Sequence, residues 1–355
     1  MKKILIFYPQ LDKPLSGGQV IDFEFIKQIK RSGYFSISYF LDKDLSSPSI
    51  LNYNLYLLSH ILAFMKYDVI FMNSRQYPRM LLFVSLLRFL RFKGRIITYH
   101  HHYNFETISG WERKVHEILE LLFLKKMSGI LIPSPFVRDL TRHLLPKANI
   151  VYIPIGFSIN SDMSLKIKRE RETRIVCVGN IERRKRTHHI VEIANILKNS
   201  FPVLQYDIVG GELDKAYSEE IKEQISNYNI GLIVKLYGRV DDETLKSLYQ
   251  KASLFVFPSS YEGYGMVLVE AMSNGLPVVA YNNSAIPYTI KNDYNGVVVE
   301  DGNFEKMAEA IGHLLNDTNK MYKLSGQALK YVGALQTIDD MKKMMANYIE
   351  ELAHS

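Results

Sequence analysis

Short apolar runs recur along the whole chain, each ending in a turn residue and followed by a longer stretch whose apolar positions return every three or four residues. The first pattern is that of a buried strand, the second that of an amphipathic helix. The apolar runs predict strands over 3–8, 36–40, 68–72, 95–99, 129–132 and 150–153, and again over 173–178, 204–209, 233–237, 254–257, 277–280 and 296–299. Helices are expected between them, clearest over 20–32, 111–127, 187–200, 241–252 and 266–272. Strict strand–helix alternation points to an α/β fold with parallel sheets covered on both faces. Two such sets imply two Rossmann-like domains, 1–157 and 158–337, joined near 156–170, where Asn160-Ser161-Asp162 and the charged run 166–174 read as a linker. A last helix, 338–355, is expected to pack back on the first domain. In such sheets ligands bind beyond the carboxyl ends of the strands, so the two domains are expected to face each other across a deep cleft. The chain shows no internal repeat and no low-complexity tract.

Composition narrows the class. A chain of 355 residues, 47% hydrophobic and 23% charged, describes a soluble two-domain protein. No run reaches the roughly 18 apolar residues of a membrane span. The apolar stretch Ile4 to Tyr8 after Met1-Lys2-Lys3 is too short for a leader and reads as the first strand. Cys177 is the single cysteine, which excludes an internal disulfide and a cysteine zinc cluster and suits the cytoplasm. The net charge of +7 is uneven: residues 1–157 hold 21 Lys and Arg against 11 Asp and Glu, the remainder 23 against 26. No zinc-finger, homeodomain or RNA-recognition pattern accompanies the basic half, so nucleic acid is not the expected partner. An anionic membrane surface is a better match. Within 80–95 a very apolar helix ends in Arg88, Arg91, Lys93 and Arg95. That segment reads either as an interfacial helix or as a core helix whose cations favour the C-terminal end of the dipole.

Candidate chemistry sits where strands give way to loops. Residues 262–270 carry Glu262 and Glu270 around Gly263 and Gly265, between a strand at 254–257 and a helix closed by Gly275. Free amides at that helix start suit a phosphate; Glu262 falls on the loop, Glu270 about two turns into the helix. Ser16-Gly17-Gly18-Gln19 is another glycine loop before a helix, either a phosphate contact or a plain turn. It lacks the third glycine of the dinucleotide fingerprint, which argues against a dehydrogenase. His100, His101 and His102 follow the strand at 95–99. Adjacent side chains diverge too far to share one metal, leaving one imidazole for a ligand or a packing role. Gly179-Asn180 and the cations Arg183, Arg184, Lys185 and Arg186 follow the first strand of the second domain, where they suit a diphosphate. Gly210-Gly211 and Gly238 repeat the strand-to-glycine pattern.

Together these pieces resemble a retaining glycosyltransferase of family 4 with the GT-B fold. The resemblance rests on Pro258-Ser259 through Pro277-Val278-Val279-Ala280, which matches that family's glutamate-x7-glutamate signature. Ala285-Ile286-Pro287, Asn295 to Val299, Gly17-Gly18, Thr98-Tyr99-His100, Ser134 and Pro154-Ile155-Gly156 match further patches. The resemblance implies that Glu262 and His100 contact the donor sugar and that Glu270 holds the ribose. It places the amides of Gly265, Met266 and Val267 on sugar or phosphate, Lys185 on the diphosphate, and the Gly17-Gly18 loop on a phosphate through the Gly18 amide. Asn180 stands where the family has arginine, so Arg183 or Arg184 is expected to supply the missing charge, Arg184 foremost. The implied reaction moves a hexosyl group from a UDP- or GDP-sugar to an acceptor hydroxyl or phosphate with the anomeric configuration kept. The basic, aromatic-rich first half favours a glycan or lipid-linked acceptor, a surface-glycan precursor at the inner face of the membrane. The resemblance implies no cofactor and no catalytic metal. A sugar-nucleotide epimerase or hydrolase on the same fold, or a catalytically weak partner subunit, are the alternatives.

Overall fold

The structure, a computed structural model, describes residues 1–8, 17–40, 50–158 and 173–354, with the side chains of 50–53 left aside. Ser16 of the glycine loop and most of the expected linker lie outside the described residues. The chain divides into two compact units, Met1–Phe157 with Gln336–Ser355, and Ser158–Leu335.

The first unit runs β1 (Lys2–Phe7), α1 (Gly17–Ser32), β2 (Phe35–Tyr39), α2 (Ile50–Ser59), α3 (Ile61–Phe64), β3 (Val69–Asn73), α4 (Tyr77–Phe89), β4 (Arg95–Tyr99), α5 (Gly110–Leu124), β5 (Gly129–Ile132), α6 (Pro135–Leu144) and β6 (Ile150–Tyr152). Its strands form one sheet in the order β2-β1-β3-β4-β5-β6, every pair parallel. Helices cover both faces, so Ile4–Phe7 of β1 and Val69–Met72 of β3 are continuously apolar rather than alternating. Leu5, Phe7, Ile70 and Met72 pack beneath α4 and α5, with Phe83 and Phe123. On the other side, Phe71 meets Phe25 of α1, which stacks on Tyr348 of the chain's last helix. Gly129 lies under Tyr348: a Cβ there would sit 2.6 Å from the phenol oxygen, which only glycine avoids.

In α4, Met80, Phe83, Val84 and Leu87 are fully buried, so its inner face is core. Arg88 is committed as well. Its guanidinium donates to the Lys126 carbonyl at 2.9 and 2.7 Å and to Ser128 Oγ at 2.9 Å, pinning the end of α4 to the turn before β5.

The second unit runs β7 (Arg174–Val178), α7 (Thr187–Leu197), β8 (Gln205–Val209), α8 (Lys215–Asn227), β9 (Val234–Gly238), α9 (Asp242–Lys251), β10 (Leu254–Phe257), α10 (Met266–Ser273), β11 (Val278–Tyr281), α11 (Ile286–Thr289), β12 (Gly296–Val299), α12 (Phe304–Asn316) and α13 (Thr318–Gly333). The chain then returns to the first unit through α14 (Ile338–His354). The second sheet is again parallel, in the order β12-β11-β10-β7-β8-β9. From β7 the chain runs outward through β8 and β9, then resumes on β7's other side at β10. The topological switch point therefore lies between β7 and β10, and the loops after those two strands share one end of the sheet. Arg174 anchors the start of β7 by donating twice to the buried Asp207 of β8, at 2.9 and 2.8 Å.

Each of the twelve strands lies within a residue or two of the apolar run that predicted it. The two-domain α/β reading holds.

Candidate functional site

The switch point of the second unit brings the two most suggestive stretches of the sequence together. After β7, residues Arg183–Lys185 form one turn of 3-10 helix; after β10, Pro258 to Gly265 turn into α10. The loops are stitched by Ser260 N–H, which donates to the Arg184 carbonyl at 2.9 Å. Across this seam Lys185 Nζ donates to Glu262 Oε1 at 2.6 Å, and Arg184 Nη1 to the same oxygen at 3.0 Å. Ser259 Oγ donates to it as well, at 2.7 Å. All three meet Oε1; among the described residues Oε2 receives no bond.

Burial alone would raise the Glu262 pKa, but the adjacent Lys185 and Arg184 charges outweigh it and bring it down to about 2. General acid–base work near neutrality asks for a pKa near the working pH, so Glu262 is an ionised acceptor rather than a proton carrier. Lys185 is held equally closely. Its stem lies against Gly179, where a Cβ would come within 3.3 Å of Lys185 Cδ, and its ammonium stands 4.8 Å over the Phe257 ring. Arg184 also donates to the Tyr261 carbonyl at 2.6 Å and to Glu182 at 2.6 Å.

Arg183 takes a different course. One residue along a 3-10 turn rotates the side chain by about 120°, and Arg183 points to α8. There it pairs with Glu220 at 2.5 Å and lies over the Tyr217 ring. Of the two cations expected to make up for Asn180, the structure brings Arg184 to Glu262 and takes Arg183 away. Asn180 has a shaping role: its Oδ1 accepts from Gly211 N–H at 3.2 Å, tying the loop after β7 to the loop after β8. These loops touch so closely that a Cβ on Gly210 would fall 2.0 Å from the Gly179 oxygen.

Gly265 ends the second loop in the left-handed region at φ +81°, and a Cβ there would press within 2.8 Å of Leu268. The amides of Met266 and Val267 thus open α10 with no acceptor inside the helix, the usual geometry for an anion. Glu270 lies about one turn into α10, not two as expected: the helix starts at Met266 as read from the sequence, and four residues at 3.6 per turn make a single turn. Burial raises its pKa, and Tyr249 Oη donates to it at 3.4 Å. Ser284, not singled out from the sequence, fixes the loop by accepting the Glu262 amide at 2.9 Å. Ser259 lay within the matched flank, but nothing in its spacing showed that it meets the carboxylate.

In the first unit, Gly17 opens α1, so the amides of Gly17 and Gly18 stand at a helix N-terminus. His100 is fully buried, its Nδ1 3.2 Å from Ser74 Oγ and its Nε2 without a partner among the described residues. Burial and the neighbouring His102 and His101 hold it neutral. His101 is the imidazole against the glycines: its ring lies 3.2 Å from where a Gly18 Cβ would be, and its Nε2 is 2.7 Å from the buried Asp22 of α1. The Asp22–His101 pair, 79 residues apart along the chain, left no mark in the spacing of the residues. Among the described residues no group of three His, Cys, Asp or Glu is arranged to hold a metal ion.

The second unit and the fold are similar to those of known proteins. Residues 161–331 match the family described as Glycosyl transferases group 1. The match falls within the second unit and supports a group 1 glycosyltransferase. The chain is similar to a poly(glycerol-phosphate) alpha-glucosyltransferase of Bacillus subtilis, 32% identical over 50% of this chain and 25% of that one. It also resembles a GDP-mannose-dependent alpha-(1-6)-phosphatidylinositol monomannoside mannosyltransferase of Mycobacterium tuberculosis, 22% identical over 58% of this chain and 56% of the other. The chain thus spans about half or less of the curated relatives' lengths. Among solved structures, its fold matches a sucrose-phosphate synthase from Thermosynechococcus elongatus, TM-score 0.79 at 19% identity over the full length of both chains. It likewise matches HepE of Anabaena in complex with UDP-glucose, TM-score 0.76 at 19% identity, covering 99% of this chain and all of the other.

Proposed function

We propose that the protein is a retaining glycosyltransferase that moves a hexosyl group from a UDP- or GDP-sugar to a lipid-linked or cell-surface glycan precursor at the inner face of the membrane. The observation that carries this reading is the Glu262 carboxylate, held ionised by Lys185 and Arg184 and bonded by Ser259 through one oxygen, while the other receives no bond among the described residues. An ionised acceptor with a free oxygen suits a sugar hydroxyl. The cations beside it and the start of α10 suit the diphosphate, whose charge grows as the glycosidic bond breaks. Glu270, one turn further along the same helix, suits the ribose hydroxyls.

In this reading the residues bind and orient, and the leaving diphosphate itself takes the acceptor's proton on the face it departs from. The reaction then needs no metal, because Lys185, Arg184 and the helix amides meet the charge. Gly18 and His100 of the first unit are proposed to contact phosphate and sugar, as the resemblance implies. The donor range follows the relatives, one named for GDP-mannose and one solved with UDP-glucose. The acceptor class follows relatives named for poly(glycerol-phosphate) and for a phosphatidylinositol mannoside.

The test is nucleotide release from a panel of UDP- and GDP-sugars, with and without lipid-linked acceptors, followed by NMR of the product's anomeric proton. Acceptor-dependent release, unchanged by a chelator and with the donor's anomeric configuration kept, is expected. Acceptor-independent release would indicate the hydrolase or epimerase. Binding of donors without release from any of them would indicate a partner subunit.

A further inference from the structure

Helix α5 carries an apolar stripe on its solvent side as well as its core side. Trp111, Val115, Ile118 and Leu122 recur at i, i+4, i+7 and i+11, the spacing of one helix face. They are 77%, 43%, 54% and 42% exposed. The opposite side of the same helix supplies Phe123 and Leu124 to the core, so the stripe is surplus to folding. Helix α4, packed alongside, adds Leu82 at 55% and Phe89 at 81% exposure. Scattered exposed apolar residues are ordinary, but a contiguous row of this kind marks a surface with a partner.

Charge identifies the partner. Lys114 and Lys125, both exposed, flank the stripe on one side, and Lys126 lies on the other. At 100° per residue, the carboxylates of Glu112 and Glu117 fall about a quarter turn or more away from the stripe's centre. The cations past α4, Arg91 and Lys93, are exposed too, in a segment of the chain whose charge is strongly positive. An apolar face that carries a tryptophan and is flanked by lysines is the arrangement that settles at the headgroup level of a bilayer.

We infer that the exposed face of α5, through Trp111, Val115, Ile118 and Leu122 with Lys114 and Lys125, docks the protein on an anionic phospholipid bilayer. This rests on the proposed membrane-linked acceptor and gives it a surface: α5, with the outer side of α4, rather than the basic end of α4 alone. A second copy of the chain is a poorer occupant, since the same lysines would face one another across a self-interface.

Trp111 is the chain's single tryptophan and so reports on this face without labelling. The full-length protein is titrated with vesicles of phosphatidylglycerol and phosphatidylcholine, and with phosphatidylcholine alone, reading Trp111 emission and co-sedimentation. A blue shift and sedimentation with the anionic vesicles only are expected. The double variant Ile118→Gln/Leu122→Gln, both at exposed positions, should bind at least about tenfold more weakly, with its affinity for UDP and GDP unchanged. No shift of the wild type on anionic vesicles overturns the inference. So does equal binding by the variant, or a lipid-free dimer that buries Trp111. Transfer to a lipid-linked acceptor without a Trp111 shift would sink this surface and leave the acceptor reading standing. Vesicle binding with no transfer to any lipid-linked acceptor would do the reverse.

Discussion

Glu262→Gln gives the sharpest test of how the loops after β7 and β10 are held. The substitution keeps the shape but removes the charge to which Lys185 and Arg184 are bound at 2.6 and 3.0 Å. The carboxyl pKa falls from 4.5 to about 2 in the fold, although burial opposes this, because the two cations outweigh it. One pKa unit is 1.36 kcal/mol, so the ionised carboxylate contributes on the order of 3 kcal/mol. Its folded pKa is depressed, so this contribution is complete above the unfolded value of 4.5 and fades as pH falls toward 2. Wild type should therefore exceed Glu262→Gln by about 3 kcal/mol near pH 7 and by only about 1 kcal/mol near pH 3. The readout must see the second unit, which has no tryptophan. Urea unfolding followed by far-UV circular dichroism serves, with Trp111 emission reporting the first unit as an unchanged internal control. A stability difference that is the same at both pH values would refute the electrostatic reasoning, whatever its size.

Other outcomes follow from the same geometry. Arg184→Ala is expected to weaken UDP or GDP binding by more than about tenfold, whereas Arg183→Ala, tied to Glu220, should change it by less than about twofold; calorimetry decides, and equal effects would show the loop is misread. Gly265→Ala forces a side chain into the left-handed region and against Leu268, costing on the order of 1–2 kcal/mol of unfolding free energy and part of the nucleotide affinity. Asp207→Ala strips the partner from Arg174 at the start of β7, and urea unfolding should register a loss of about 3 kcal/mol or more. Glu120 of α5, pushed by burial up to about 7, acts oppositely to Glu262. Its folded pKa is raised, so the first unit should lose stability as pH rises from about 4.5 through about 7. Trp111-monitored urea midpoints that do not fall over that range, or that fall equally in Glu120→Gln, would contradict this.

The strands were legible because a strand covered on both faces must be apolar throughout, and Ile4 to Phe7 or Val69 to Met72 advertise this directly. Glu262 and Glu270 were legible as a spaced pair around glycines. Directions of neighbouring side chains were not. Arg183, Arg184 and Lys185 are equivalent as a charge run, and only the 3-10 turn sends the first to α8 and the other two to Glu262. His100 and His101 pose the same problem at a strand end, where one ring is buried against Ser74 and the next faces Gly18 and Asp22. The stripe on α5 was present in the spacing too. An apolar helix face reads as core until the structure shows that another face of that helix already fills the core.

Lys185 and Arg184, beside the start of α10, are proposed to form a diphosphate site. Isothermal titration of the wild type and of Lys185→Ala/Arg184→Ala with UDP, GDP, uridine and guanosine tests it most directly. At least one diphosphate is expected to bind the wild type much more tightly than its nucleoside, and the double variant to lose this phosphate-dependent increment while still binding the nucleoside alike. A diphosphate that binds both proteins equally, or no better than its nucleoside, would contradict it.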